Sequence, residues 1–162
     1  MPDMLVKLYD LDKDWSFMKK IAARGITIRK PIAPETHRVV EWVREHFSDA
    51  WASETAHALN NQPVSAFIAV RDGEMLGFAC YDAAKLGIFG PTGVAEPERG
   101  QGIGRSLLLA CLLDMWLKGY AYAVIGWVGP AGFYEKVADA VIIPDSEPGP
   151  YRGALGLHPP EG

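Results

Sequence analysis

Apolar positions along the chain recur in some stretches every second residue, as in a half-buried strand, and in others with the 3.6-residue period of a helix. Leu5 to Tyr9 reads as a short strand, followed by a helix that Asp12 is placed to cap and Gly25 to end. Ile26-Thr27-Ile28-Arg29 alternates like a strand and stops at Pro31. Pro34 opens a helix whose Val39, Val40, Val43 and Phe47 fall on one face, and residues 53–60 form a second, with Ser53 as cap. Strands then follow at Val64 to Val70, Met75 to Tyr81 and Leu86 to Val94, the first two joined by an Asp72-Gly73 hairpin turn. Residues 105–118 make a helix that is apolar almost all round, the mark of a buried element. Ala121 to Val128 is a continuous apolar run, as in a parallel strand covered on both faces. A short helix from Ala131 to Ala138 and a strand at Val141-Ile142-Ile143 complete the pattern. The Pro- and Gly-rich tail from Ser146 to Gly162 is expected to be a loop with one edge strand. This order predicts an α+β fold with a mixed sheet, and strand, glycine loop, helix and strand at its centre.

At 162 residues, with 49% hydrophobic and 22% charged positions, the chain fits one domain with a sizeable core. Its net charge of −4 lacks the basic footprint of a nucleic-acid binder and suits a cationic substrate instead. Cys80 and Cys111 sit inside apolar runs, so they read as buried thiols rather than a disulfide framework. The start, Met1-Pro2-Asp3-Met4, has no basic segment leading into an apolar core, and Leu107 to Leu113 is far too short to span a bilayer. A cytoplasmic protein without membrane partners is expected. His37, His46, His57 and His158 share no metal-ligand spacing, and no metal site is expected.

Chemistry concentrates in Thr92-Gly93-Val94-Ala95-Glu96-Pro97-Glu98-Arg99-Gly100-Gln101-Gly102-Ile103-Gly104-Arg105. Glycines at alternate positions allow a tight turn and close approach of a ligand to the backbone. They lead straight into a helix, whose first turn offers unpaired N–H groups and the positive end of the dipole. Such a segment cradles phosphate, and Arg99 and Arg105 flank it. Gly104-Arg105-Ser106 is wrong for a P-loop, which ends Gly-Lys-Ser/Thr, and the third glycine comes one position early for a dinucleotide fingerprint.

Arg99-Gly100-Gln101-Gly102-Ile103-Gly104, five residues after Val94, resembles the acyl-CoA signature R/Q-x-x-G-x-G/A of the GNAT superfamily of N-acetyltransferases. Phe133-Tyr134-Glu135-Lys136 resembles the second hallmark of that superfamily, one helix and one strand downstream. The order of elements from Ile26 to Ile143 is similar as well, so a GNAT domain is expected over residues 26–162, with residues 1–25 an extension packed on it.

The resemblance implies that backbone amides of Arg99, Gly100, Gln101, Gly102, Ile103 and Gly104, with Arg105 and Ser106 opening the helix, hold the pyrophosphate of acetyl-CoA. It implies that Thr92 to Val94 pair in β fashion with the pantetheine arm, and that an N–H near Val94 faces the thioester oxygen. Tyr134 takes the place of the general acid for the departing thiolate, a reasonable match because thiol and phenol ordinarily titrate near ~8.5 and ~10. The implied reaction is direct attack of a small-molecule or peptide amine on the thioester, and the family carries the expectation of a homodimer. The strand from Leu86 to Val94 contains no carboxylate to act as base, leaving Glu54, His57, Asp82 and Glu96 as candidates. Trp127 and Pro130 stand where relatives carry Asn and Ala. Ala138-Asp139-Ala140 replaces the usual Gly-Phe. Trp42, Trp51 and Trp127 are core residues or the lining of an acceptor pocket, and Tyr151 and Arg152 lie where relatives place a loop over the substrate. A non-catalytic acyl-CoA-binding module, serving as sensor or interaction subunit, is the competing reading.

Overall fold

The computed structural model describes residues 1–156. Seven strands form one mixed sheet: β1 (Met4–Lys7), β2 (Thr27–Arg29), β3 (Ala66–Arg71), β4 (Glu74–Tyr81), β5 (Ile88–Val94), β6 (Tyr122–Ile125) and β7 (Val141–Ile142). Their spatial order is β2-β3-β4-β5-β6-β1-β7, and every neighbouring pair is antiparallel except β5 with β6. Five helices cover it: α1 (Ser16–Ala22), α2 (Thr36–His46), α3 (Asp49–Leu59), α4 (Ile103–Lys118) and α5 (Ala131–Ala138). On one face α4 buries Leu107, Leu108, Leu112 and Leu113 against Ile28, Phe67, Ala79 and Phe89, with α1 and α5 in the same cluster. On the other face Val39 and Val43 of α2 and Ala58 and Leu59 of α3 close over Ile68, Phe78 and Cys80. This division follows from the period-two alternation of β3 and β4, which sends successive side chains to opposite layers. The α4 helix is apolar almost all round from Leu107 to Leu113 because it lies between the sheet, α1 and the α5 side.

The hairpin turn marked by glycine adopts the conformation glycine makes cheap. Asp72 and Gly73 have φ of 51° and 76°, both positive as a tight two-residue hairpin requires. Element ends depart from the pattern-based reading. The first helix starts at Ser16 and is held by Asp14, whose carboxylate accepts from the Ser16 N–H at 2.9 Å; Asp12 does not cap it. Ser48, not Ser53, caps α3 by accepting from the Trp51 N–H, so that helix starts four residues earlier than expected. The β1 strand ends at Lys7 and passes into a 3₁₀ turn at Leu8–Asp10. The β6 strand ends at Ile125, because Trp127 turns away at φ 47°; the apolar run continues only because Val128 is buried as loop. The expected edge strand of the tail is absent from residues 146–156, which hold a 3₁₀ turn at Gly149–Tyr151; the rest of the tail, with His158, lies outside the described residues. Residues 1–25 supply β1, inserted between β6 and β7 with Met4, Val6 and Leu8 fully buried, and α1, packed on α4.

Candidate active site

At the centre of the sheet β5 and β6 part company. They pair only at Ile88 with Val124 and Phe89 with Ile125, after which β6 ends and β5 runs on alone to Val94. Pro91 has no N–H with which to continue the ladder. Across the other edge of β5 the Ala95 N–H donates to the Leu76 carbonyl at 2.8 Å. The antiparallel alternation therefore turns the N–H and C=O of Thr92 and Val94 away from β4 and into the gap. The Thr92 hydroxyl donates to the Phe78 carbonyl at 3.1 Å and stays with β4.

The gap opens into a cleft of about 600 Å³, walled by Phe47 and Trp51 on one side and by Pro130, Phe133 and Tyr134 on the other, with the glycine loop at one end. Gly93 is obligatory in this wall: a Cβ there would stand 2.3 Å from Cζ of Phe47, whose ring occupies that space. The loop feeds α4 through Gly102 at φ 83°, without a side-chain cap. Among the described residues the N–H groups of Gly100, Gln101, Gly102, Ile103, Gly104 and Arg105 have no intramolecular acceptor. A run of free amides at a helix N-terminus, with Arg99 and Arg105 exposed beside it, is suited to a diphosphate. Arg99 spends its amide on the Glu96 carbonyl and offers only its guanidinium, and Ser106 spends both amide and hydroxyl on the Gly102 carbonyl and adds no donor.

The loop is held from behind. Arg71 donates to Glu98 at 2.6 Å, and Gln101 Nε2 donates to the other carboxylate oxygen of Glu98 at 2.8 Å. Together these bonds hold the Glu98 carboxyl below its usual range. Arg24, from just beyond α1, donates to the Gln101 carbonyl. These partners fix the Glu98 carboxylate and the Gln101 carbonyl and side chain, a device that sequence reasoning missed because Arg24 and Arg71 lie far from the loop in the chain.

Tyr134 lies on α5 against Phe89 and Phe133, with ring centroids 6.3 and 5.1 Å away. It is 6% exposed, and burial pushes its phenol up to about 12. The phenol therefore stays protonated across the neutral range, as a proton donor must. Of the candidate bases, Asp82 is committed elsewhere: its fully buried carboxylate accepts from Lys118, Tyr120 and the Gly87 amide. His57 and Glu96 are exposed, and Glu54 is half-buried on α3. Trp51 lines the cleft, Trp127 packs against Tyr151 with ring centroids 4.1 Å apart and planes tilted by 41°, Trp42 packs against Phe47 and Phe78, and Arg152 is exposed. Among the described residues no three His, Cys, Asp or Glu side chains gather as a metal site, and no helix is long and apolar enough to cross a membrane.

The profile of the Acetyltransferase (GNAT) family matches residues 36–138, from the start of α2 to the end of α5. The chain belongs to this family. Its fold is that of GNAT proteins of known structure. With a TM-score of 0.71 and 16% identity, 88% of the chain matches a GCN5-related glucosamine N-acetyltransferase region in a fungal multi-domain GH3 beta-N-acetylglucosaminidase. A GCN5-related N-acetyltransferase from Sphaerobacter thermophilus matches 88% of the chain at TM-score 0.62 and 22% identity. A GNAT family acetyltransferase from Brucella melitensis, solved in complex with acetyl-CoA, matches 73% at TM-score 0.54 and 19% identity. The chain spans 19%, 48% and 86% of those three proteins respectively. No curated protein is significantly similar in sequence. The family match begins after β1, α1 and β2, so the strand between β6 and β7, and Arg24 behind the loop, come from outside it.

Proposed function

We propose that the protein is an acetyl-CoA-dependent N-acetyltransferase that acts on a primary amine of a small molecule or peptide. The observation that carries this reading is the continuous path from the free amides of Gly100 to Arg105, past the unpaired edge of Thr92 and Val94, to the phenol of Tyr134. The amides and Arg105 hold the pyrophosphate of acetyl-CoA, and the Thr92 and Val94 backbone groups take the amides of the pantetheine arm as a further strand would. The Val94 N–H then faces the thioester oxygen and stabilises the charge that develops on it. Tyr134 gives its proton to the departing thiolate. The apolar cleft that raises the phenol also raises the proton affinity of the thiolate, which keeps the transfer from running steeply uphill. The acetyl group goes straight to the amine, with no covalent enzyme intermediate. Membership of the GNAT family and the structural likeness to acetyltransferases support this assignment.

Thiol release from acetyl-CoA, measured with pooled polyamines, amino acids, aminoglycosides and short peptides, tests the proposal. Release that depends on one pool establishes the transferase and its acceptor class. Silence in every pool, from protein that binds acetyl-CoA, refutes it in favour of an acyl-CoA-binding module.

A further inference from the structure

The acceptor, an ammonium ion at neutral pH, must lose two protons on becoming an amide, and β5 offers no carboxylate to accept the first. The α3 helix, which brings Trp51 to the cleft wall, does carry one. Glu54 lies one turn beyond Trp51, which lines the cleft beside Phe47. It is half-buried, makes no ion pair among the described residues, and accepts a hydrogen bond at Oε1 from the Tyr151 hydroxyl at 2.7 Å. Desolvation raises its pKa, which the Tyr151 bond partly offsets. A carboxylate removed from water without a cation is costly, and a cation that arrives beside it relieves the cost.

Tyr151 ends a strap, residues 148–151, that runs from α3 to the exit of β6. Its ring lies on Trp127, and the Trp127 indole N–H donates to the Pro148 carbonyl at 2.8 Å. Asp3 ties the Pro148 end of this arrangement to the loop after β6. Its carboxylate accepts from the Trp127 backbone N–H at 3.0 Å, and its own N–H donates to Ser146 Oγ at 2.8 Å. Trp51 belongs to one wall of the cleft, and Pro130, three residues after Trp127, to the other. The strap therefore links α3 to the loop after β6, and it sets Tyr151, packed against Trp127, beside a carboxylate without an ion pair; aromatic rings and a carboxylate are the groups that recognise an ammonium.

We infer that Glu54 receives the acceptor as its ammonium ion and takes a proton from it, and that the acceptor binds beneath the strap formed by residues 148–151. This rests on the transferase reading. The ammonium gives one proton to the Glu54 carboxylate, and the neutral amine forms the new N–C bond as the C–S bond breaks. Tyr134 protonates the sulfur and recovers the second nitrogen proton. The Glu54 proton then leaves to solvent, so amide, CoA thiol and one proton account for every atom.

Two measurements on the full chain test this. Tryptophan fluorescence reads binding of phenethylammonium and of its neutral counterpart 2-phenylethanol. The native protein should favour the ammonium by at least about tenfold, Glu54→Gln should lose the preference, and Glu54→Asp should restore part of it. No preference in the native protein, or an undiminished one in Glu54→Gln, overturns the inference. Thiol release with the fastest primary amine should fall on the order of 10²-fold in Glu54→Gln. With hydroxylamine, already neutral at pH 7, it should stay within about threefold, because no ammonium has to be deprotonated. An equal loss with both nucleophiles overturns the role as base. Absence of thiol release from the native protein with every nucleophile refutes the transferase reading itself, and the fluorescence comparison still decides whether Glu54 is a cation site.

Discussion

Replacing Tyr134 with phenylalanine removes one hydroxyl and little else. The ring keeps its contacts with Phe89 and Phe133, and desolvation is the sole influence on the phenol, so no intramolecular hydrogen bond is lost. Stability should change by less than about 0.5 kcal/mol, and affinity for acetyl-CoA should hold, because the free amides of Gly100 to Arg105 lie on the loop and α4 rather than on α5. What disappears is the proton for the thiolate. General-acid catalysis contributes 10²–10⁴-fold, and a phenol displaced to about 12 belongs at the low end of that range for a thiol near ~8.5. The expected loss is therefore on the order of 10²-fold in kcat, equivalent to about 2.7 kcal/mol in the barrier. Continuous thiol release under saturating acetyl-CoA gives kcat, and its dependence on acetyl-CoA gives KM. A kcat within threefold of native would remove Tyr134 from the mechanism, and a loss confined to KM would make it a binding residue. The same displacement predicts that the native pH profile shows no alkaline limb from this acid below about pH 11.

Gly93→Ala drives a methyl into the Phe47 ring and should cost about 1–3 kcal/mol in denaturant unfolding; Phe47→Leu in the same chain should recover part of it, and strict additivity would contradict the packing argument. Arg24→Ala frees the Gln101 carbonyl and should raise KM for acetyl-CoA several-fold while leaving kcat unchanged, as steady-state kinetics can show. Asp82→Ala abandons Lys118 and Tyr120 and should cost about 3 kcal/mol of stability without altering acetyl-CoA affinity, which calorimetry separates from a role as base. The Arg29 guanidinium holds the Glu35 carboxyl down to about 2, below its unfolded value. Its contribution is thus complete above pH ~4.5 and lost as pH falls towards 2, so Glu35→Gln should lower Tm at pH 7 and flatten the acid limb.

The sequence by itself determined most of the elements and the glycine loop at one end of the cleft. Strand alternation, the Asp72-Gly73 turn and the largely apolar α4 are local properties, and glycines before a helix leave free amides whatever surrounds them. Helix caps were less legible. Ser48 and Ser53, or Asp14 and Asp12, differ only in which carboxylate or hydroxyl meets a backbone N–H, and periodicity does not specify that. Tertiary structure alone decided where β1 goes, between β6 and β7, since an apolar strand matches many edges equally well. It also decided the contacts on the side proposed for the acceptor. Glu54 and Tyr151 are 97 residues apart, and Asp3 meets Trp127 across 124. Nothing in either neighbourhood announces its partner, because a half-buried carboxylate becomes conspicuous only when folding removes its water and supplies no cation.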